Sequence, residues 1–374
     1  MNTSDAVFKR ETVSARLRAI YEGHGYSQYR MRKFEEYDLY VRNKSFLISD
    51  HIITFTDPSG KLKALKPDVT LSIVKNSKET PGYVQKVYYK ENVYRIDKDS
   101  DAFKEITQVG LECVGDIDTY SIFEVLLLAV ESLREIGEDF VLDISHLGIV
   151  SAVLEEAGVP EEHRAPILRC IGEKNAHGVA ALCREAGVDE GNTAAIVRLV
   201  TTYGEPQRVL TVLDGMPLGE SGRAALAQLR CVLSALEREA PAGSIRVDFS
   251  VINDMNYYNG IVFRGFLCGL PSGILSGGQY DYLMQKMGKN AGAIGFAVYP
   301  DLLEGLAAPQ QRYDVDTVLL YDAAAALADV RAAARALAED GKSVTVQKSL
   351  PGKLKYRRLC RLIEGGVEVV EEHA

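Results

Sequence analysis

Two pairs of polar residues in segments predicted to be extended have types and spacing suited to binding a small polar molecule. Asp68 and Thr70 lie two residues apart, so in a strand they would share one face and jointly accept hydrogen bonds from an ammonium group. Gln108 and Glu112 lie four residues apart and would also point to one side of a strand. A glutamate aimed into a cleft costs free energy unless a cationic or hydrogen-bonding group meets it. These residues are therefore candidates for a ligand site.

Tyrosines and glycines later in the chain could complete the same cleft. Tyr257 and Tyr258 are adjacent, and Tyr280 follows the pair Gly277 and Gly278, which allows close approach of the backbone. Most polar strand residues only face water, so each candidate has an alternative interpretation as a solvated position. No single position identifies a ligand site without a match to a family.

The motifs of several common enzyme classes are missing from the sequence. It contains no G-x-G-x-x-G, no G-x-S-x-G and no complete phosphate-binding loop around residues 341–343. The six histidines show no H-x-x-x-H spacing and the six cysteines form no C-x-x-C pair. The sequence therefore predicts no metal, no cofactor and no assignable catalytic residue.

Composition restricts the class of protein. A chain of 374 residues with 47% hydrophobic and 25% charged residues is globular on average, which excludes a disordered or collagen-like chain. The net charge of −9 makes nucleic acid an improbable partner. The most apolar run, residues 125–130, is far shorter than the ~20 residues that cross a bilayer. The first ten residues lack the apolar stretch of a secretory signal, so we expect a cytoplasmic protein with no membrane partner.

Hydrophobic periodicity predicts the elements that position the candidate residues. Residues 84–96 and 106–114 read as two strands joined by a charged loop, and a helix follows up to Gly137, with Ser121 and Glu124 at capping-box spacing. Strict alternation over residues 245–251 predicts an antiparallel strand. Asn259 and Gly260 then predict a hairpin turn into a strand over residues 261–268.

Changes of pattern divide the chain. Turn formers at residues 241–243 and small residues at 307–311 mark two seams, and the segment before the first seam reads as successive helices. Beyond the second seam, a strand (315–321), a helix (323–338) and a strand (343–347) form a β-α-β unit, followed by a helix (354–362) and a strand (367–370). The predicted domains are a core in two parts (1–150 and 242–309), a helical insertion (151–241) and a small α/β module (312–374).

Five motifs in order resemble histidyl-tRNA synthetase, a class II aminoacyl-tRNA synthetase. Residues 65–70 resemble its L-R-P-E-x-T segment, and residues 87–112 resemble the motif 2 strand-loop-strand. Residues 255–260, 276–281 and 295–297 resemble L-D-Y-Y-x-G, A-G-G-R-Y-D and the start of motif 3. The resemblance implies an α+β fold, a class II synthetase-like antiparallel sheet flanked by helices. It also implies that six residues bind histidine: Asp68, Thr70, Gln108, Glu112, Tyr258 and Tyr280.

The sequence departs from the synthetase pattern where ATP would bind. Asn253 and Leu302 stand at two places where the family carries arginines, and the loop after Arg95, through Ala102, is net negative. Triphosphate chemistry needs concentrated positive charge, and loss of one such donor typically costs ~10²–10³ in rate. We therefore expect no formation of an aminoacyl-adenylate.

A synthetase-like core of this kind resembles the regulatory subunits of ATP phosphoribosyltransferase. That resemblance implies histidine biosynthesis, a short-form catalytic subunit as partner, and a homodimer built through residues 14–40, where Glu22, Tyr26, Tyr29 and Tyr37 lie. Residues 312–374 resemble a shortened anticodon-binding domain, which many members lack. A divergent histidine-tRNA ligase and a histidine-binding paralogue with another partner therefore remain alternatives.

Overall fold

The structure, a computed structural model, describes residues 3–43, 52–78, 80–97, 102–252, 257–305, 313–339 and 342–373. Asn253 and most of the loop after Arg95 lie outside these residues. The chain divides into two compact units, residues 6–306 and a smaller unit of residues 307–374 with residues 1–5. In the described part of the chain, no helix is both long and apolar enough to cross a membrane.

A mixed sheet of nine strands, counted over the described residues, organises the larger unit. In their spatial order the strands are β1 (Ser27–Gln28), β5 (Val84–Ile96), β6 (Phe103–Gly115), β12 (Gly292–Val298), β11 (Leu275–Gln279), β10 (Ile261–Leu267), β7 (Phe140–His146), β9 (Ile245–Asp248) and β8 (Tyr203–Gly204). A small separate sheet has the order β2 (Phe34–Glu36), β4 (Leu62–Leu65), β3 (Thr54–Thr56). This arrangement confirms the predicted α+β fold. The sheet is antiparallel from β5 to β7, as predicted, and parallel where β1 pairs with β5 and where β9 pairs with β7.

Helices surround the large sheet. The helices of this unit are α1 (Thr3–Gly23), α2 (Tyr37–Arg42), α3 (Thr70–Asn76), α4 (Thr119–Ile136), α5 (Leu147–Glu156), α6 (Glu161–Gly172), α7 (Ala176–Glu185), α8 (Glu190–Thr201), α9 (Pro206–Asp214), α10 (Gly219–Glu239) and α11 (Asp281–Lys286), and a 3₁₀ turn spans Pro300–Gly305. Helices α5 to α10 belong to the same compact unit as the sheet, so the domain boundaries at 150 and 241 stay predictions.

Alternation along β6 separates the core from the opposite face of the sheet. Val109, Leu111 and Cys113 are buried in the main hydrophobic core together with α4, α5 and α10. The residues between them face the other side, because successive side chains of a strand point to opposite faces. Gln108 and Glu112 therefore lie on the face away from α4, as their spacing predicted.

Two predictions about local structure are wrong in this unit. The predicted hairpin between residues 245–251 and 261–268 does not form, because β7 lies between β9 and β10 and pairs with β9 in parallel. Asn259 instead forms side-chain hydrogen bonds with Asp281. The helix α4 is capped by Asp118, whose carboxylate accepts a hydrogen bond from the Ser121 backbone nitrogen at 2.8 Å, rather than by the predicted capping box.

The smaller unit contains a four-stranded sheet in the order β14 (Val344–Gln347), β13 (Val315–Leu320), β15 (Tyr356–Ile363), β16 (Gly366–Glu372), with α12 (Leu327–Leu337) packed on one face. The predicted parallel β-α-β unit is confirmed by β13 and β14. The helix predicted over residues 354–362 is wrong, since this segment forms β15. A register shift between Leu359 and Cys360 buries two adjacent residues, which imitates the apolar spacing of a helix.

Candidate functional site: a buried carboxyl in a polar cavity

A cavity of about 570 Å³ opens on the face of the large sheet away from α4. Strands β5, β6, β10, β11 and β12 contribute its walls, together with the segment that leads into α3. The structure brings all six residues of the predicted histidine site to this one cavity: Asp68, Thr70, Gln108, Glu112, Tyr258 and Tyr280.

Glu112 lies at the centre of the cavity wall and is only 2% exposed. The Thr70 hydroxyl donates to Glu112 Oε1 at 2.7 Å, and the Tyr280 hydroxyl donates to Oε2 at 2.6 Å. Gly295 faces Glu112 from β12, where a Cβ atom would come within 1.8 Å of Oε2. The carboxyl therefore fits only because the opposite residue has no side chain.

Burial controls the charge of the two carboxyls in the cavity. Desolvation raises the pKa of Glu112 from 4.5 to about 8, although the hydrogen bonds from Tyr280 and Thr70 act in the opposite direction. The nearby charge of Asp68 raises the pKa of Glu112 further. Burial also raises the pKa of Asp68, while a backbone hydrogen bond from Leu71 and the charge of Arg95 lower it. A cationic or N–H-donating ligand would favour the ionised form of both carboxyls.

Asp68 and Thr70 reach the cavity in a different way from the one predicted. They do not lie on one face of a strand, because the chain turns into α3 at Thr70. Asp68 accepts a hydrogen bond from the Leu71 backbone nitrogen at 2.9 Å, which satisfies one of the unpaired N–H groups at the start of that helix. The polar side chain of Asp68 thus fixes the position of Thr70 against Glu112.

Arg95 is a cavity residue that the sequence analysis did not assign to the site. Its Nε donates to the Pro67 carbonyl at 3.0 Å, and its Nη2 is buried without a hydrogen-bond partner among the described residues. A buried guanidinium nitrogen without a partner is costly, so this atom is suited to a ligand carboxylate. Arg95 lies six residues after Tyr89 on β5, and this even spacing could have placed both on the cavity face.

Three tyrosine rings enclose the cavity near Glu112. The Tyr257 and Tyr258 ring centroids are 4.5 Å apart, and Tyr257 lies 5.7 Å from Tyr280. Burial raises the pKa of all three hydroxyls well above its usual value, so they remain neutral hydrogen-bonding groups. The cavity therefore offers one aromatic wall to a small flat ring, while carboxyls and a guanidinium can meet the charged ends of the ligand.

The 3₁₀ turn after β12 carries no cation at the place where the resemblance predicts one in the synthetases. Leu302 is half-buried there, and the adjacent Asp301 accepts from the Thr107 backbone nitrogen at 2.6 Å and pairs with Arg10 at 2.9 Å. Across the described residues, no group of three or more His, Cys, Asp or Glu side chains could hold a metal ion. The position of Asn253 lies outside those residues.

Residues 4–303 match the histidyl-tRNA synthetase family, which covers the strands and helices that form the cavity. The chain belongs to the histidyl-tRNA synthetase family. A curated relative is the ATP phosphoribosyltransferase regulatory subunit of Oceanobacillus iheyensis. It is 28% identical over 304 residues, which are 80% of this chain and 75% of that protein. The resemblance to such regulatory subunits is therefore confirmed at the level of sequence.

Solved structures of this family have the same fold. An ATP phosphoribosyltransferase regulatory subunit/histidyl-tRNA synthetase from Bacillus halodurans superposes with a TM-score of 0.75 at 24% identity, over 91% of this chain and 89% of that chain. A chain of the ATP phosphoribosyl transferase (HisG:HisZ) complex from Thermotoga maritima gives a TM-score of 0.60 at 20% identity, over 79% and 96% respectively. These similarities concern the fold of the family.

Replacing Glu112 by glutamine should stabilise the fold at high pH. Because the pKa of Glu112 is raised from 4.5 to about 8, the folded state favours the protonated carboxyl. Its stabilising contribution is complete below pH 4.5 and is lost as pH rises toward about 8. The free energy of unfolding in urea should therefore be higher for the uncharged Glu112→Gln variant than for wild type by on the order of 1 kcal/mol or more near pH 9. Near pH 5 the two values should approach each other.

The matched control for this measurement is Glu105→Gln. Glu105 lies on the same strand but is exposed at its far end. The Glu105→Gln variant therefore gives the baseline effect of replacing an exposed carboxyl by an amide, against which the Glu112→Gln result is compared. If the free energy of unfolding of Glu112→Gln differs from that of wild type by the same amount near pH 5 and near pH 9, the buried carboxyl is not the titrating group.

Proposed function

We propose that this chain is a non-catalytic regulatory subunit that binds histidine and regulates a short-form ATP phosphoribosyltransferase in histidine biosynthesis. The observation that carries the proposal is the cavity around Glu112, in which two hydroxyl donors and an aromatic enclosure surround a buried carboxyl. Such a carboxyl can accept a hydrogen bond from an imidazole nitrogen. Asp68 and Gln108 would then meet the ammonium group of the ligand, and Arg95 its carboxylate.

The charge of the cavity suits an amino acid better than ATP. Two carboxyls, Asp68 and Glu112, and two guanidiniums, Arg95 and Arg264, line it. A bound ammonium or N–H donor would favour the ionised form of both carboxyls, which would then balance the guanidiniums. A zwitterion matches such a balance, whereas a triphosphate requires an excess of positive charge. The family's motif 3 cation is replaced by Leu302, and Asp301 brings a carboxylate within 2.6 Å of the Thr107 nitrogen.

Relatives support the proposed partner. Several curated relatives at 24–29% identity are named ATP phosphoribosyltransferase regulatory subunit. The Thermotoga maritima similarity is to a chain solved as part of an ATP phosphoribosyl transferase complex. The alternative, a divergent histidine-tRNA ligase, draws its support from Arg95 and Arg264, because these cations remain in the cavity.

A homodimer is the proposed building block, and side-chain exposure within residues 14–40 supports one part of that segment as the contact. Tyr26 is only 3% exposed and packs in the core of its own unit, so it cannot serve as an interface residue. Phe34 in the same segment is 49% exposed and contacts Phe55 edge to face on one side of the small sheet. This pair of exposed aromatic rings on the small sheet is a better candidate for the dimer contact than Tyr26.

The protein should not activate histidine. Purified protein given ATP, magnesium and histidine should show no ATP–pyrophosphate exchange above a blank, because the family's phosphate-binding cations are replaced at Asn253 and Leu302. A histidyl-tRNA synthetase assayed in parallel verifies the assay. Robust exchange by this chain would reject the regulatory role and establish the ligase.

Histidine should bind the cavity and raise the melting temperature. An analogue without ring nitrogens leaves Glu112 buried without a ligand partner, so calorimetry should show weaker binding by ~1–3 kcal/mol. Glu112→Leu should remove this discrimination, whereas Glu105→Leu, an exposed position on the same strand, should keep it. The absence of histidine binding at millimolar concentration would refute the proposed ligand.

The protein should form a larger complex with a short-form ATP phosphoribosyltransferase from the same organism. A regulator must bind the active and inactive forms of its partner with different affinity, since only differential binding shifts an equilibrium. Formation of phosphoribosyl-ATP should therefore be far faster in the mixture than with the catalytic chain alone, and histidine should alter the rate. Independent elution with unchanged activity would refute the partner, whatever the cavity binds.

A further inference from the structure

A second cavity of about 610 Å³ lies beside the first and is bounded by one face of α6. The helix contributes residues at intervals of three and four positions, which is the spacing of a single helical face. Its buried residues Ile167 and Ile171 belong to the main core instead. The cavity-facing residues of α6 are Glu161, Arg164, Ala165, Leu168, Arg169 and Gly172.

The opposite wall of this second cavity adds another cation. Arg264 on β10 lines it, together with the hydroxyl-bearing residues Ser151 and Ser250. Three arginines from two elements thus surround one cavity in a chain whose net charge is −9. Such a local reversal of charge concentrates anions from solution.

Two carboxylates of the described residues lie near these cations. Glu161 pairs with Arg164 at 3.2 Å, but its side chain is 85% exposed at the rim. Asp143 lies directly opposite Arg264 in the pairing of β7 with β10 and is not part of the cavity lining. Among the described residues that line the cavity, three arginines therefore stand against one carboxylate.

We propose that this second cavity binds a phosphate-bearing small molecule. Guanidinium groups recognise phosphate through paired N–H donors, and Arg164, Arg169 and Arg264 supply three of them. The serine hydroxyls can donate to further phosphate oxygens. Leu154, Leu168 and Ile252 form an apolar wall against which the remainder of the ligand can pack.

Arg264 and Ile252 line both cavities, so binding at one should change binding at the other. An anion that draws the Arg264 guanidinium toward α6 removes positive charge from the wall of the first cavity. Linkage requires the reverse effect to have the same size. This coupling rests on the proposed histidine site, whereas anion binding itself does not.

The test is isothermal titration calorimetry of the full-length protein with inorganic pyrophosphate at physiological ionic strength. Wild type should bind, and the double variant Arg164→Gln with Arg169→Gln should bind at least about tenfold more weakly. Arg184→Gln changes an exposed arginine on α7 away from the cavity and should bind as wild type does. No binding by wild type, or equal binding by the double variant, would overturn the proposed site.

A second titration series separates the site from its coupling. Saturating histidine should change the affinity for pyrophosphate, and saturating pyrophosphate should change the affinity for histidine by the same factor. Arg264→Gln should weaken pyrophosphate binding and reduce this factor toward one. Pyrophosphate binding that is unaffected by bound histidine would overturn the coupling through Arg264. Failure of histidine to bind would refute the proposed function. The pyrophosphate titration would then still test the anion site by itself.

Discussion

The burial of the Glu112 carboxyl is the constraint on which the binding face of this core depends. Its two oxygens accept hydrogen bonds from the Thr70 and Tyr280 hydroxyls, and a carboxyl without such partners would be expensive to bury. The constraint extends to the neighbouring strand, since Gly295 must lack a side chain. Three separate segments of the chain therefore have to meet at one carboxyl before the cavity exists.

Strand β6 joins this site to the stability of the fold, because alternate residues of the same strand serve the two purposes. Leu111 and Cys113 pack beneath the sheet in the main core, while Glu112 between them faces the cavity. A shift of the strand by one residue would exchange the two sets. The position of the carboxyl is thus set by apolar packing on the opposite face, and a ligand that binds it encounters a rigid wall.

Local periodicity predicts much of this structure, and the errors occur where contacts distant in sequence decide. The alternation of β6 placed Gln108 and Glu112 on one face, and the β-α-β unit of the smaller unit followed from its pattern. The hairpin failed at Asn259 because β7, more than a hundred residues earlier, occupies the place between the two strands. Arg95 was missed because its role depends on the cavity it enters, and no local pattern reports an unpaired guanidinium nitrogen.

The two cavities differ in the charged groups that line them. Among the described residues, the first is lined by two carboxyls and two guanidiniums, and the second by three arginines and one carboxylate. Because Arg264 borders both, the free energy of its guanidinium depends on what occupies each cavity. A regulatory subunit of the proposed kind reports the presence of a ligand if binding alters a group shared with a second surface. In the proposed coupling Arg264 is such a group, since it lies on a strand of the central sheet and lines both cavities.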